Sequence, residues 1–267
     1  MKDISPMIKR HNRYHWVVGT FAAFLLVAQA NDQGLVVHYT FDTAPIEGRI
    51  ADQSGWGNDG LAHGTTFVSS GINGGALAFN GISDWVSVIN PYVIEPWEIT
   101  QYTVSLWFLS ESDENFADNR HVISDNRRYQ LAGARQNGQP VLLSYASSFT
   151  DCCGGTPVIS APLRLGQEAW HHAVLVVDEQ AVPSTRIYVD GELVGSSIDS
   201  GANHGGYGLL IGAVHDGLSQ PGRFWIGLID DVRIYNRVLP KDEIAHLGRV
   251  NRAGGADRLA VNTTQLP

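Results

Sequence analysis

Two carboxylates stand side by side in a β-prone run, Gly227-Leu228-Ile229-Asp230-Asp231-Val232-Arg233-Ile234-Tyr235-Asn236-Arg237, where strand formers dominate and acids are ordinarily scarce. Such acids can ligate a cation, work as general acid and base, or sit solvated at an edge. Adjacent strand positions point to opposite faces, so this pair lacks the alternating spacing that aims two carboxylates into one cleft. A second acidic string, Glu111-Ser112-Asp113-Glu114-Asn115-Phe116, follows a strand signal and reads as a charged, solvated loop. His171-His172 are adjacent as well and cannot share one ion; a histidine packed beside Trp170 is the expectation. Cys152-Cys153 lie in Thr150-Asp151-Cys152-Cys153-Gly154-Gly155-Thr156, where neighbours cannot staple distant segments. A strained vicinal disulfide is the first reading, with free thiols or a bond to another chain left open, and no third or fourth ligand is spaced for zinc. No Gly-x-Ser-x-Gly elbow accompanies a serine and a histidine. No catalytic residue is assigned.

Sugar recognition needs an aromatic face for the C–H side of the ring and a few polar groups for the hydroxyls. Trp56, Trp85, Trp97, Tyr145, Phe149, Tyr207 and Trp225 are candidates because several sit in or beside loop signals. Tyr207 stands out in Asn203-His204-Gly205-Gly206-Tyr207-Gly208, since glycines let a ligand approach the backbone while the ring projects.

The elements that must position these groups are short strands. Leu35 to Phe41 alternates and stops at Asp42; Ala76 to Phe79 and Trp85 to Ile89 follow, joined through Asn80-Gly81-Ile82-Ser83-Asp84. Between them, Asp52-Gln53-Ser54-Gly55-Trp56-Gly57-Asn58-Asp59-Gly60 is a dense cluster of turn formers. Tyr102 to Leu109 alternates clearly, with Tyr102, Val104, Leu106 and Phe108 on a core face and Thr103 and Ser105 opposite. Weaker signals cover 121–124, 129–132 and 141–145. Trp170 to Asp178 is nearly continuous in apolar residues and reads as a buried strand. In Thr185 to Gly195, Asp190-Gly191 predicts a type I′ hairpin turn. A strand at 208–213 precedes the Asp230-Asp231 run, and one short helix is predicted at Pro240 to Leu247, with Ile244 and Leu247 on one side. Many short strands and one helix give an all-β, two-sheet antiparallel sandwich, or jelly roll.

The ends and the charge place the chain. A basic segment with Lys9, Arg10 and Arg13, an apolar run from Trp16 to Ala28, and Ala28-Gln29-Ala30 follow the order of a secretory signal peptide, with cleavage expected after Ala30. The run is too short to span a bilayer, which takes ~20 residues; a retained anchor is the alternative. Residues 1–30 carry a net charge of +3, so the overall −9 becomes −12 once they are removed. That acidity argues against nucleic acid, which rewards clustered Lys and Arg. The expected organisation is a signal peptide over 1–30, one domain over 31–250 and a poorly ordered tail over 251–267.

Seven strings fall in register with a known family. They are Phe41-Asp42, Asp52-x-Ser54-Gly55-x-Gly57-Asn58-x-Gly60, Ala76 to Gly81, Val104 to Trp107, Trp170 to Val174, Ile187 to Gly191 and Gly227 to Arg237. Their order resembles that of laminin-G-like, concanavalin A-like jelly-roll domains, over about Leu35 to Leu247. The resemblance implies two stacked sheets with a concave face, a carbohydrate-binding or adhesion role, and often a structural Ca2+. In that jelly roll the first and last strands lie close, which implies Asp42 near Asp230. A similar closing strand in laminarinase-like relatives ligates calcium through the Asp before Val-Arg-hydrophobic-Tyr, so Asp230 is favoured over Asp231, with Asp84 and nearby carbonyls completing the shell. Asp231 is expected to pair with Arg233 or another cation. Hydrolases of this architecture carry Glu-x-Asp-x-x-Glu; here Phe116 stands where the last acid belongs. The expectation is therefore an exported, non-catalytic module, secreted or in the periplasm or envelope, that binds a glycan or glycoprotein surface. The metal site is Asp42, Asp230 and Asp84, and the ligand contacts are Tyr207, Trp56 and Trp85. A polysaccharide hydrolase of the same fold, or an envelope structural protein without sugar affinity, is the alternative.

Overall fold

The structure, a computed structural model, describes residues 33–88, 100–125, 129–145, 157–159, 162–163, 169–198, 208–216 and 220–249. The expected signal segment, Trp97, Phe149, Cys152, Cys153, Tyr207, the side chain of Tyr145 and the tail after 250 lie outside them.

Two eight-stranded antiparallel sheets make the sandwich among the described residues. The first runs β14 (Glu192–Ser197), β13 (Thr185–Val189), β12 (Trp170–Asp178), β7 (Gln101–Ser110), β18 (Ile226–Tyr235), β5 (Ala76–Asn80), β4 (Thr66–Val68), with β1 (Leu35–Tyr39) also on β18. The second runs β11 (Pro157–Ile159), β10 (Gln139–Tyr145), β9 (Tyr129–Gln136), β8 (His121–Asp125), β15 (Leu209–Ile211), β6 (Trp85–Val88), β3 (Gly60–His63), β2 (Arg49–Ile50). A ribbon of β16 (Val214–Asp216) and β17 (Gln220–Gly222) stands apart. The all-β sandwich is thus the architecture, and the unit that holds it begins at Gly34. No helix among the described residues is long and apolar enough to cross a membrane.

Alternation explains which faces are buried. In β12, Ala173, Leu175 and Val177 enter the main core between the sheets, while Val174 and Val176 join a second cluster with Leu35, Tyr188, Tyr235, Leu239, Ile244 and Leu247. That second cluster is the underside of the C-terminal helix, residues 241–249, which presents Ile244 and Leu247 as its spacing predicts. A strand covered on both faces must be apolar throughout, which accounts for the unbroken run from Ala173 to Val177. The same cover reaches β7: Thr103 and Ser105, on the face opposite the main core, are buried as well. Thr103 Oγ1 donates to the Arg237 carbonyl at 2.8 Å and accepts from Leu239 N at 3.0 Å, and Ser105 Oγ lies 2.8 Å from His172 Nε2. The hairpin turn has φ of 53° at Asp190 and 85° at Gly191, both positive as type I′ requires.

β18 carries the one edge that changes hands. Its first half, Ile226 to Ile229, pairs with β5, and its second half, Val232 to Tyr235, pairs with β1. The register against β7 slips between Asp230 and Arg233, and Asp231 has φ 44°, the signature of a β-bulge. The paired acids therefore occupy the seam where one partner ends and the other begins.

Among the described residues β1 pairs with β18 alone, and the loop 51–59 bonds to backbone groups of β1. Asp52 Oδ1 accepts from His38 N and from Ser54 N, both at 2.9 Å. Gln53 N donates to the His38 carbonyl at 2.8 Å, and Asn58 Nδ2 donates to the Val36 carbonyl at 2.7 Å, with Ser54 Oγ 3.1 Å from the same oxygen. Side chains of the Asp52-x-Ser54-x-x-x-Asn58 pattern thus take the place of a missing strand.

Candidate functional site

At the seam the two acids part ways. Asp231 Oδ1 sits 2.8 Å from His38 Nε2 and 3.1 Å from the Arg233 guanidinium, the expected basic partner. Asp230 is fully buried. Its Oδ1 accepts from Asp231 N at 2.7 Å, and its Oδ2 accepts from Ile72 N at 2.9 Å and Asn73 N at 3.4 Å. Burial, followed by the neighbouring Asp231 charge, pushes its carboxyl up to about 8 against the opposing pull of those amides. Asp42 Oδ1 accepts from Gly75 N at 3.3 Å, so Asp42 and Asp230 grip the same glycine-rich turn. That turn closes through Gly71 N to the Gly74 carbonyl at 2.9 Å. A side chain at Gly74 would collide with Asp42 Oδ1, and one at Gly71 with Asp230 Oδ2; only glycine allows both carboxylates this close.

Asp84 serves a different turn. Its Oδ2 accepts from Asn80 N at 3.0 Å, its Oδ1 from Ser83 Oγ at 3.4 Å, and Gly64 packs against it. Its hydrogen bonds go to the 80–83 turn rather than to the 71–75 turn. Among the described residues no group of three or more His, Cys, Asp or Glu is placed to hold a metal ion.

The first half of the acidic string, 111–113, is a loop as expected, and the second half departs from it: Glu114 to Phe116 lie in a short helix, Glu114–Ala117. Asn115 is buried and bridges Ser110 Oγ and the backbone of Ile226 at 2.7–2.9 Å, while Phe116 enters the core. These two inward residues turn the acids outward: the Asp113 side chain is 80% exposed near Arg135 and that of Glu114 63% exposed near Arg120. His171 and His172 diverge as expected, His171 to Asp190 at 2.8 Å and His172 against the Trp107 ring at 5.0 Å between centroids.

The aromatic candidates divide. Trp225 is fully buried, edge-on to Phe108 and Phe116 with centroids at 5.7 and 6.3 Å. It is core, not a ligand contact, because its strand-entry position turns inward. Trp85 points the other way. Val86 and Val88 of β6 enter the main core, so Trp85 and Ser87 face outward. Across the register, His63 of β3 pairs with Trp85 and stacks on its ring at 4.3 Å and 14°. Burial under that ring lowers the His63 pKa, which keeps the imidazole neutral at pH 7. His63 Nε2 lies 3.1 Å from Ser87 Oγ, and Phe224 stands 6.1 Å from Trp85. Arg120 fixes the rim by donating to the carbonyls of Gly81 and Phe224 at 2.7 and 2.8 Å. All four of Trp85, His63, Ser87 and Phe224 are half-buried. The result is a half-buried aromatic stack, a plate of indole backed on one face by a neutral imidazole, with a hydroxyl beside the imidazole. His63, Ser87 and Phe224 were not singled out from sequence; the signal for His63 and Ser87 is outward alternation on two strands whose register pairs His63 with Trp85, and Phe224, between β17 and β18, carries no such signal. Trp56, by contrast, is 60% exposed in the loop between β2 and β3.

A family model described as the concanavalin A-like lectin/glucanases superfamily matches residues 80–245, more than half of the chain. Among solved structures, domain 4 of AbnA, a GH43 extracellular arabinanase from Geobacillus stearothermophilus in complex with arabinotriose, aligns with a TM-score of 0.57 and 18% identity over 80% of this chain and 98% of that one. The receptor binding domain of a botulinum neurotoxin C/D mosaic serotype gives a TM-score of 0.59 at 14% identity, over 82% of this chain and 51% of that one. The binding domain of Paraclostridial Mosquitocidal Protein 1 gives 0.59 at 15%, over 82% and 52%. The chain spans about half the length of these two toxin domains. At such identities the likeness is one of fold. A search of curated protein sequences found no match.

Proposed function

The chain belongs to the concanavalin A-like lectin/glucanase superfamily, and from that premise we propose an exported, non-catalytic module that binds a neutral glycan on the Trp85 plate. The observation that carries this reading is the Trp85–His63 stack with Ser87 beside it on an outward sheet face. The part of the indole that His63 leaves uncovered supplies the apolar surface that a pyranose C–H face needs, and Ser87 and His63 supply hydrogen bonds without a charge. The relative solved with arabinotriose supports a sugar as ligand class. Against hydrolysis stand the outward acids of the 111–116 string, since cleavage of a glycoside takes two carboxyls facing one bond.

Isothermal titration with a panel of neutral oligosaccharides and soluble polysaccharides tests the plate. Trp85→Ala is expected to weaken binding about tenfold or more, with the far-UV spectrum unchanged. Equal affinity in Trp85→Ala and wild type would transfer the function to an adhesion or envelope role elsewhere on the surface.

A structural calcium at Asp42 and Asp230 belongs to the same proposal. The donors fit a hard cation in part: two carboxylates meet one turn, and a fully buried acid there has only amide partners. Carbonyls would have to supply the remaining oxygens, as calcium takes six to eight. Bound there, the ion would supply positive charge to the seam. Calcium added to chelated protein is expected to raise the melting temperature by several degrees, and an unchanged melt at millimolar calcium removes the ion from the account.

A further inference from the structure

We propose that Trp56 is a second glycan contact, which makes the ligand an extended oligosaccharide or polysaccharide chain rather than a single terminal sugar. The inference rests on the Trp85 plate as the first contact.

Trp56 is 60% exposed, whereas Trp107 and Trp225 are wholly buried. An exposed indole is ordinary on a mobile loop; this loop is strapped. Besides the bonds to β1, Asp52 Oδ2 accepts from Ser54 Oγ at 2.6 Å and Asn58 N at 3.0 Å, and Ser54 Oγ in turn accepts from Trp56 N at 3.3 Å. The backbone that carries the indole is therefore held before any ligand arrives, which lowers the ordering cost of binding.

The surroundings select the chemistry. Gly55 and Gly57 flank the indole with φ of +87° and +74°, and a Cβ built on either meets nothing within 4 Å. The space on both sides of Trp56 is open, and peptide groups are accessible there to hydroxyls. The charged side chains of the loop are already engaged. Asp52 is saturated by four donors, and Asp59 takes Arg49 Nε and Asp52 N, both at 2.9 Å. An aromatic face with peptide groups and no uncommitted charge suits a neutral sugar better than an ionic partner.

Position selects the length. The loop joins β2 to β3, and Trp85 is the cross-strand partner of His63, the last residue of β3. The loop that carries Trp56 enters β3 at Gly60, and Trp85 sits beside the strand's other end at His63, ~10 Å along the strand, so a ligand that touches both is longer than one hexose ring. A chain that reaches both gains the second contact at high effective concentration.

The test is affinity against chain length, using a ladder of arabino- and gluco-oligosaccharides from the disaccharide to the soluble polymer. Trp56→Ala is expected to weaken the polymer about tenfold and leave the disaccharide unchanged, and Trp56→Tyr to restore most of the loss. Trp85→Ala is expected to weaken both. If Trp56→Ala matches wild type on the whole ladder while Trp85→Ala loses binding, the second contact is wrong and the plate stands. If neither substitution changes binding, the plate itself is wrong. Melting curves for each variant separate these outcomes from misfolding, since Trp56 lies outside the core.

Discussion

Alanine at position 230 is expected to cost about 3 kcal/mol of unfolding free energy at pH 5 in chelator, roughly 6–12 °C in melting temperature. The side chain accepts from three backbone N–H groups, those of Ile72, Asn73 and Asp231, and it is fully buried. Removing it strands those donors where water does not reach and unties the bulge from the turn that introduces β5. The loss is also pH-dependent, with a definite sign. The folded carboxyl is pushed up to about 8, against ~3.9 in the unfolded chain. Between these values the folded state binds more protons than the unfolded one, so stability is full below about pH 4 and declines as pH rises toward 8, by an upper bound on the order of 5 kcal/mol. Asp230→Asn keeps an acceptor and cannot ionise, so its stability should lack that slope. Urea unfolding of wild type, Asp230→Asn and Asp230→Ala at pH 5 and pH 8 decides the matter; parallel pH profiles for wild type and Asp230→Asn would refute it. The proposed calcium acts in the opposite direction, because a cation favours the ionised acid. Its stabilising effect should accordingly be larger at pH 8 than at pH 5.

Trp225→Ala is expected to destabilise by about 4 kcal/mol, the cost of emptying a large aromatic site that cannot collapse. The indole is wedged edge-on between Phe108 of β7 and Phe116 of the short helix, and its backbone N donates to Gly212 at 2.9 Å. Trp225→Phe, which keeps the edge contacts, should lose less than half as much and leave glycan affinity untouched. Denaturant midpoints measure the first, titration the second. An affinity loss in a well-folded Trp225→Phe would return this residue to the binding surface.

The sequence made the strands legible because their faces alternate, and the Asp190-Gly191 turn because its backbone geometry demands such residues. It also separated Asp230 from Asp231, since adjacent strand residues diverge. What it concealed has physical causes. The partner of both Asp42 and Asp230 is a turn that offers backbone amides, and amides carry no residue signature beyond the glycines that permit the approach. The burial of Thr103 and Ser105 was not legible because polarity in a strand does not reveal what later covers it; for Thr103 the segment after β18 does so. Trp225 read as a loop aromatic because β18 begins one residue later, where periodicity is too short to assign a face. His63 and Ser87 required the register of β3 on β6, a pairing that no local pattern supplies.

The loop along the free side of β1 has a consequence for solubility. A short, largely apolar strand with a bare edge is a template for another chain's strand, and exposed edges are where β proteins aggregate or exchange segments. Here the Val36 carbonyl and both backbone groups of His38 are occupied by Asp52, Gln53, Ser54 and Asn58. Those residues therefore occupy the backbone groups through which one molecule could add to the next, so the strap guards against association as well as holding the fold.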